Sequence, residues 1–149
     1  MADHRYKQIL IADLIFDLKN PRHDPVEDGV EVIRELLRDH PTKLVRLAKD
    51  IAESGTNPAD IPIVIPSTEQ AGKYVVVEGN RRLAAIRLLA EPALAERAGY
   101  PALKRKFEEA VKSQSAGVAA ASLQCAVFES RDKTPHWIEL RHTGQNEGI

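Results

Sequence analysis

The sequence predicts an α+β domain, a small mixed β-sheet with helices packed around it. Two patterns carry that expectation. Apolar, β-branched runs that read as strands, Ile61 to Pro66 and Tyr74 to Val77, stand apart from segments whose apolar residues recur at helical spacing. At Gly79 the pattern switches from one period to the other within a few residues. Size agrees: 149 residues, 43% hydrophobic and 29% charged, make one ordinary domain. A chain of this length buries roughly 68–70% of its extended surface, enough for one core.

In chain order, residues 7–16 read as a strand followed by a turn. Asp17 to Gly29 carries Asn20-Pro21-Arg22 and Asp24-Pro25 and reads as a loop. Val30, Ile33, Leu36 and Leu37 mark an amphipathic helix over 30–39. Pro41 opens a second helix with the stripe Leu44, Leu47, Ala48 and Ile51, and Gly55 is its expected left-handed C-cap. The strand 61–66 is bounded by prolines, and 74–78 is a continuous β-branched strand expected to be buried on both faces. From Arg81 the period is helical, with Leu83, Ile86, Leu89 and Ala90 on one face, until Pro92 ends it. Residues 93–98 read as a short turn, and Pro101 opens a helix to Lys112. Ser113 to Ser122 is a small, polar linker, and 123–128 is a strand. Thr134 is the expected N-cap and Pro135 the first residue of a last helix, which Trp137, the only tryptophan, should anchor in the core. The chain stops at Gly148-Ile149 without a charged tail, so residues 1–149 are expected to be one domain at the N-terminal part of a longer chain.

No apolar run approaches the roughly 18 residues of a membrane span, and Met1 to Gln8 has no apolar signal core. A single cysteine, Cys125, excludes an internal disulfide framework and a CxxC metal site. The expected location is the cytoplasm. The net charge of −1 argues against coating nucleic acid by bulk charge. It is unevenly spread: residues 1–78 carry 10 basic and 14 acidic side chains, whereas 79–112 carry 8 and 4, a local net of +4. Alone, that excess is equally read as a solvated basic helix pair.

The excess begins at Gly79-Asn80-Arg81-Arg82, where a strand hands over to a helix through glycine. The first-turn N–H groups of a helix lack partners and the dipole is positive there, which favours an anion. Gly79 allows close backbone approach, and Arg81 and Arg82 supply forked donors that match phosphate oxygens. The alternative for one of them is a structural ion pair with Glu78 or Glu91.

The segment Val77-Glu78-Gly79-Asn80-Arg81-Arg82-Leu83-Ala84-Ala85 resembles the phosphate motif of the ParB/sulfiredoxin superfamily, written G-E-R-R-x-R-A in ParB. Asn20-Pro21-Arg22 is similar to the ParB proline–arginine segment, and Ser54-Gly55-Thr56-Asn57-Pro58 to the stretch that closes the preceding helix. The resemblance covers residues 8–90 well and 123–149 loosely. It implies the ParB N-terminal fold and a domain that binds CTP or another nucleoside triphosphate with Mg2+ and acts as a switch on DNA. Carried over by position, Gly79, Asn80, Arg81 and Arg82 would hold the phosphates, Gly55 and Thr56 would lie near the base or phosphates, and Arg22 would approach from the side. His142, beside the family's third motif, would sit near the ligand, and Glu78 would be the candidate general base or Mg2+ ligand. The expected partners are a nucleotide, DNA only through a region beyond residue 149, and a second copy in a homodimer.

The chain departs from the motif at two places, with Asn80 for its glutamate and Ala84 for its third arginine. Glu139 to Gln145 does not match the third motif. Sulfiredoxin chemistry is excluded, because the position of its cysteine is held by Asn80 and Cys125 lies in an apolar strand. His136 and His142 lack the i, i+4 spacing of a zinc pair, and His4, His23 and His40 are expected at the surface. Two further functions stay open: a ParB-like nuclease or nucleotide-hydrolysing enzyme, and an interaction scaffold that kept the fold without the ligand.

Overall fold

Two strands and not one occupy the start of the chain: β1 (His4–Leu10) and β2 (Leu14–Phe16), separated by the 3-10 turn Ile11–Asp13. The structure, a computed structural model, describes residues 4–17, 29–114 and 122–146, with the side chains of 142–146 outside the description. After β2 come α1 (Val30–Asp39), α2 (Pro41–Ser54), β3 (Ile63–Pro66), β4 (Tyr74–Glu78) and α3 (Asn80–Ala90). Then follow α4 (Ala93–Arg97), α5 (Pro101–Lys112), β5 (Ser122–Phe128) and α6 (Pro135–Asn146). The fold is α+β with a mixed five-stranded sheet in the order β1-β5-β3-β4-β2. The β1/β5 and β3/β4 pairs are antiparallel, and β3/β5 and β2/β4 are parallel.

This order explains why the expected strand 7–16 breaks. β1 and β2 lie on opposite edges of the sheet. From Leu10 to Leu14 the chain spans at most about 14 Å, whereas the edges of five flat strands stand about 19 Å apart. The sheet therefore curls, and Ile11–Asp13 carries the chain across the gap. Lys7 Nζ on β1 donates to the Tyr74 hydroxyl on β4 at 2.9 Å, and Lys73 Nζ donates to the Ala12 carbonyl at 3.0 Å, which holds the curl.

One face of the sheet and the helices share the main core. Leu14, Val64, Val76, Leu123 and Cys125 pack with Ile33, Leu44, Leu83, Leu88 and Phe107. The two-residue period of the strands sends the alternate residues Ile63, Ala126 and Phe128 to the other face, where Ile138 of α6 covers them. Helix α3 is the central helix, with Leu83, Ala84, Ala85, Ile86, Leu88 and Leu89 all buried.

Several expectations are corrected in detail. β3 starts at Ile63, after Pro62, which has no N–H to donate and offers its carbonyl to Ala126 N–H at 2.9 Å. Only Val76 of β4 is fully buried, because α6 covers the second face incompletely. Gly55 takes φ 82° and ψ −176°, a positive-φ but extended conformation that leads into the next segment, not a left-handed helical cap. Residues 93–97 form the helix α4 and not a turn. Thr134 stands immediately before Pro135, the first residue of α6, and its carbonyl accepts the Ile138 N–H at 3.1 Å, while its buried Oγ1 donates to the Arg131 carbonyl at 2.7 Å. Trp137 is 46% exposed and edge-on to His136, with ring centroids 5.1 Å apart, so Ile138 is the core anchor of α6.

Candidate anion cleft

β4 delivers the chain to Glu78, Gly79 turns it with φ 108° and ψ 18°, and Asn80 opens α3. This φ disfavours any residue with a Cβ. A Cβ at Gly79 would also stand 3.1 Å from Pro62 Cβ and 3.3 Å from Pro62 Cα. Among the described residues no side chain caps α3, so its first-turn N–H groups and the positive end of its dipole face the cleft as an anion site would need. Asn80 is occupied differently. Its Oδ1 accepts the Asp17 N–H at 3.3 Å and its Nδ2 donates to the Val76 carbonyl at 2.8 Å. The side chain ties the ends of β2 and β4 together.

The start of α3 opens on a cleft of about 670 Å3. Besides Gly79 and Asn80, the lining includes four cations, Lys43, Arg81, Arg82 and Arg141, and two carboxylates, Asp60 and Glu78. Among the described residues the cleft thus has an excess of positive charge, in a protein whose net charge is −1. Arg82 is 11% exposed and its Nη2 lies 2.7 Å from Asp60 Oδ2. Arg141 reaches in from α6, with Nη1 at 3.3 Å from Asp60 Oδ1 and 4.0 Å from Glu78 Oε1. Its Nη2 donates to the Ile61 carbonyl at 3.0 Å. Arg81 is exposed, and neither Arg81 nor Lys43 forms an ion pair with another described residue.

The structure brings Glu78, Gly79, Asn80, Arg81 and Arg82 together at this cleft. Thr56 lines a neighbouring cavity of about 140 Å3 that shares Asp60 and Arg82 with it. Gly55 ends α2 just before Thr56 and lines neither. Arg22 lies outside the described residues, as does the His142 side chain, although the backbone of His142 is in α6 next to Arg141. The ion pair foreseen for one arginine forms at Arg82, but with Asp60, while Glu91 pairs with Arg97 at 3.2 Å. Sequence reasoning missed Lys43, Asp60 and Arg141 as cleft residues. Arg141 had a signal, its place in the stretch aligned with the third family motif. Lys43 and Asp60 had none, because distant elements bring them in.

Cys125 is buried against Leu123, and burial pushes its thiol up to about 11, which makes it a core group and not a nucleophile at neutral pH. Among the described residues no group of three or more His, Cys, Asp or Glu side chains is placed to hold a metal ion. No helix among them is long and apolar enough to cross a membrane.

No protein-family model matches this chain, and no curated protein is significantly similar to it. Among solved structures it is similar to the C-terminally truncated chromosome-partitioning protein ParB from Caulobacter crescentus complexed with CTP-gamma-S. The identity is 21% over 95% of this chain and 53% of that chain, with a TM-score of 0.45. It is also similar to C-terminally truncated ParB from Caulobacter crescentus complexed to the centromeric parS site, at 20% identity over 85% of this chain and 41% of that chain, with a TM-score of 0.34. The chain spans about half the length of these structures or less.

Proposed function

We propose that this chain is a ParB-like nucleotide-binding domain whose cleft seats a nucleoside triphosphate and whose ligand state controls a DNA-related partner. The carrying observation is the uncapped N-terminus of α3, opening through Gly79 on a cleft lined by Lys43, Arg81, Arg82 and Arg141. Backbone N–H groups would bind phosphate oxygens along the helix axis while guanidinium forks take the oxygens that remain. The Gly79-Asn80-Arg81-Arg82 motif supports the same reading, and CTP is the first nucleotide to test because that motif resembles the ParB one.

Mg2+ is proposed here as a companion of the phosphates. Mg2+ is commonly held by one or two carboxylates plus substrate phosphates, with water completing its shell. Glu78, beside Gly79 in the cleft, is the carboxylate proposed to hold it. Bound there, the ion would neutralise phosphate charge; the protein's own part is to bind and orient the phosphates. The hydrolytic alternative would use the same Glu78 as base. The site for the base or ribose is proposed at the smaller cavity beside Thr56.

Equilibrium titration with labelled CTP, ATP and GTP, with and without Mg2+, tests the proposal. Saturable binding that weakens in Arg81→Ala supports it, and absence of binding by all three favours the interaction scaffold. Phosphate release measured on the same samples separates a switch from an enzyme.

A further inference from the structure

We propose that Asp60 is a built-in competitor for the anion, holding two arginines of the cleft and lowering the affinity of any anion that enters. This deepens the nucleotide reading above and rests on it. Asp60 precedes β3 and divides its two oxygens between arginines of different elements: Oδ2 is 2.7 Å from Arg82 Nη2 on α3, and Oδ1 is 3.3 Å from Arg141 Nη1 on α6. A carboxylate thus occupies two of the guanidiniums that line the cleft at the uncapped end of α3. It also stands with Arg82 between the large cleft and the smaller cavity beside Thr56.

An anion entering at α3 meets this carboxylate in one of two ways. If Asp60 keeps its arginines, its charge repels the newcomer. If it yields them, it must first break a charge-assisted bond to the largely buried Arg82, and its 40% exposure lets it turn out to water. In both cases binding of the entering anion is weakened. Asp60 therefore lowers affinity. A purely structural role predicts the opposite: an acid that holds Arg82 and Arg141 in place should strengthen binding.

Asp60→Asn keeps shape and removes charge, and Asp60→Ala removes both. Each is titrated calorimetrically beside the wild type with inorganic phosphate, pyrophosphate and CTP, with far-UV circular dichroism recorded on the same samples. The expected result is a gain of about threefold to tenfold in affinity for inorganic phosphate in both variants, the range of a partly exposed ion pair. A gain in the same direction is expected for pyrophosphate and CTP. Wild-type binding of CTP with equal or weaker anion binding in both variants overturns the role of Asp60 and leaves the nucleotide reading standing. Silence of the wild type and both variants toward all three ligands overturns the two together.

Discussion

Arg81 and Arg82 are adjacent in the chain, yet Arg81 is exposed without an ion pair to a described residue and Arg82 is 11% exposed and bound to Asp60. Their replacements should therefore separate. Arg81→Ala should weaken nucleotide binding by about tenfold to a hundredfold, the worth of one charge-assisted hydrogen bond, with an unchanged denaturation midpoint. Arg82→Ala should lower both affinity and the midpoint, because it strips Asp60 of its nearest partner. Urea denaturation beside the titration checks both outcomes. Gly79→Ala is expected to cost about 1–3 kcal/mol, since alanine must hold φ 108° and its Cβ would press on Pro62. Cys125 supplies a pH signature. Its folded-state value is raised from 9.0 to about 11 by burial, so its contribution to stability is complete below about pH 9 and is lost as pH climbs toward 11. That loss is on the order of 2 kcal/mol and should be missing from the stability–pH curve of Cys125→Ala.

The elements divide into a packed body and the helix α6, whose described side chains meet that body at Ile138 and Arg141. α3 is buried along most of its length and Phe107 of α5 is fully enclosed in the same core. Phe107→Ala should cost about 3–5 kcal/mol in a denaturation experiment. α6 is held by Ile138 on the second face of the sheet and by Arg141 at the cleft, while Trp137 and Leu140 are 46% and 50% exposed. Trp137→Ala should change stability by no more than about 0.5 kcal/mol. The single tryptophan should show the red-shifted, readily quenched fluorescence of an indole in water. A blue-shifted, unquenchable emission would place Trp137 in the core after all. Because Arg141 joins α6 to Asp60 and Glu78, nucleotide binding in the cleft is expected to change the same fluorescence, which a titration would read.

At the scale of the molecule, the distribution of charge decides what surface remains for DNA. Non-specific affinity for duplex DNA comes from lysines and arginines that neutralise phosphates, and it falls steeply with salt. The net charge is −1, and in the basic segment 79–112 the exposed cations away from the cleft include Arg105, Lys106 and Lys112 on α5, interleaved with Glu108 and Glu109. These 149 residues alone are expected to bind duplex DNA weakly or not at all at physiological salt. A salt-sensitive gel shift at sub-micromolar protein would contradict this and move the contact onto α5.

The fold class and the strand–glycine–helix unit from Tyr74 to Ala90 were legible in the sequence, because the forces that shape them are local. A β-branched run favours extended backbone, a positive φ selects glycine, and apolar spacing marks the buried side of a helix. The starts of α2 and α5 at Pro41 and Pro101 were legible for the same reason. Tertiary structure alone decided which side chains meet. The division of 7–16 into β1 and β2 follows from their places at opposite edges of one curled sheet. Asp60 meets Arg82 from 22 positions away, and Arg141 meets Ile61 from 80. Trp137 is exposed because Ile138, one residue on, takes the place against the sheet. Periodicity tells which residues share a face of an element, but the surface that covers that face is chosen by the rest of the chain, and so is the partner of each charge.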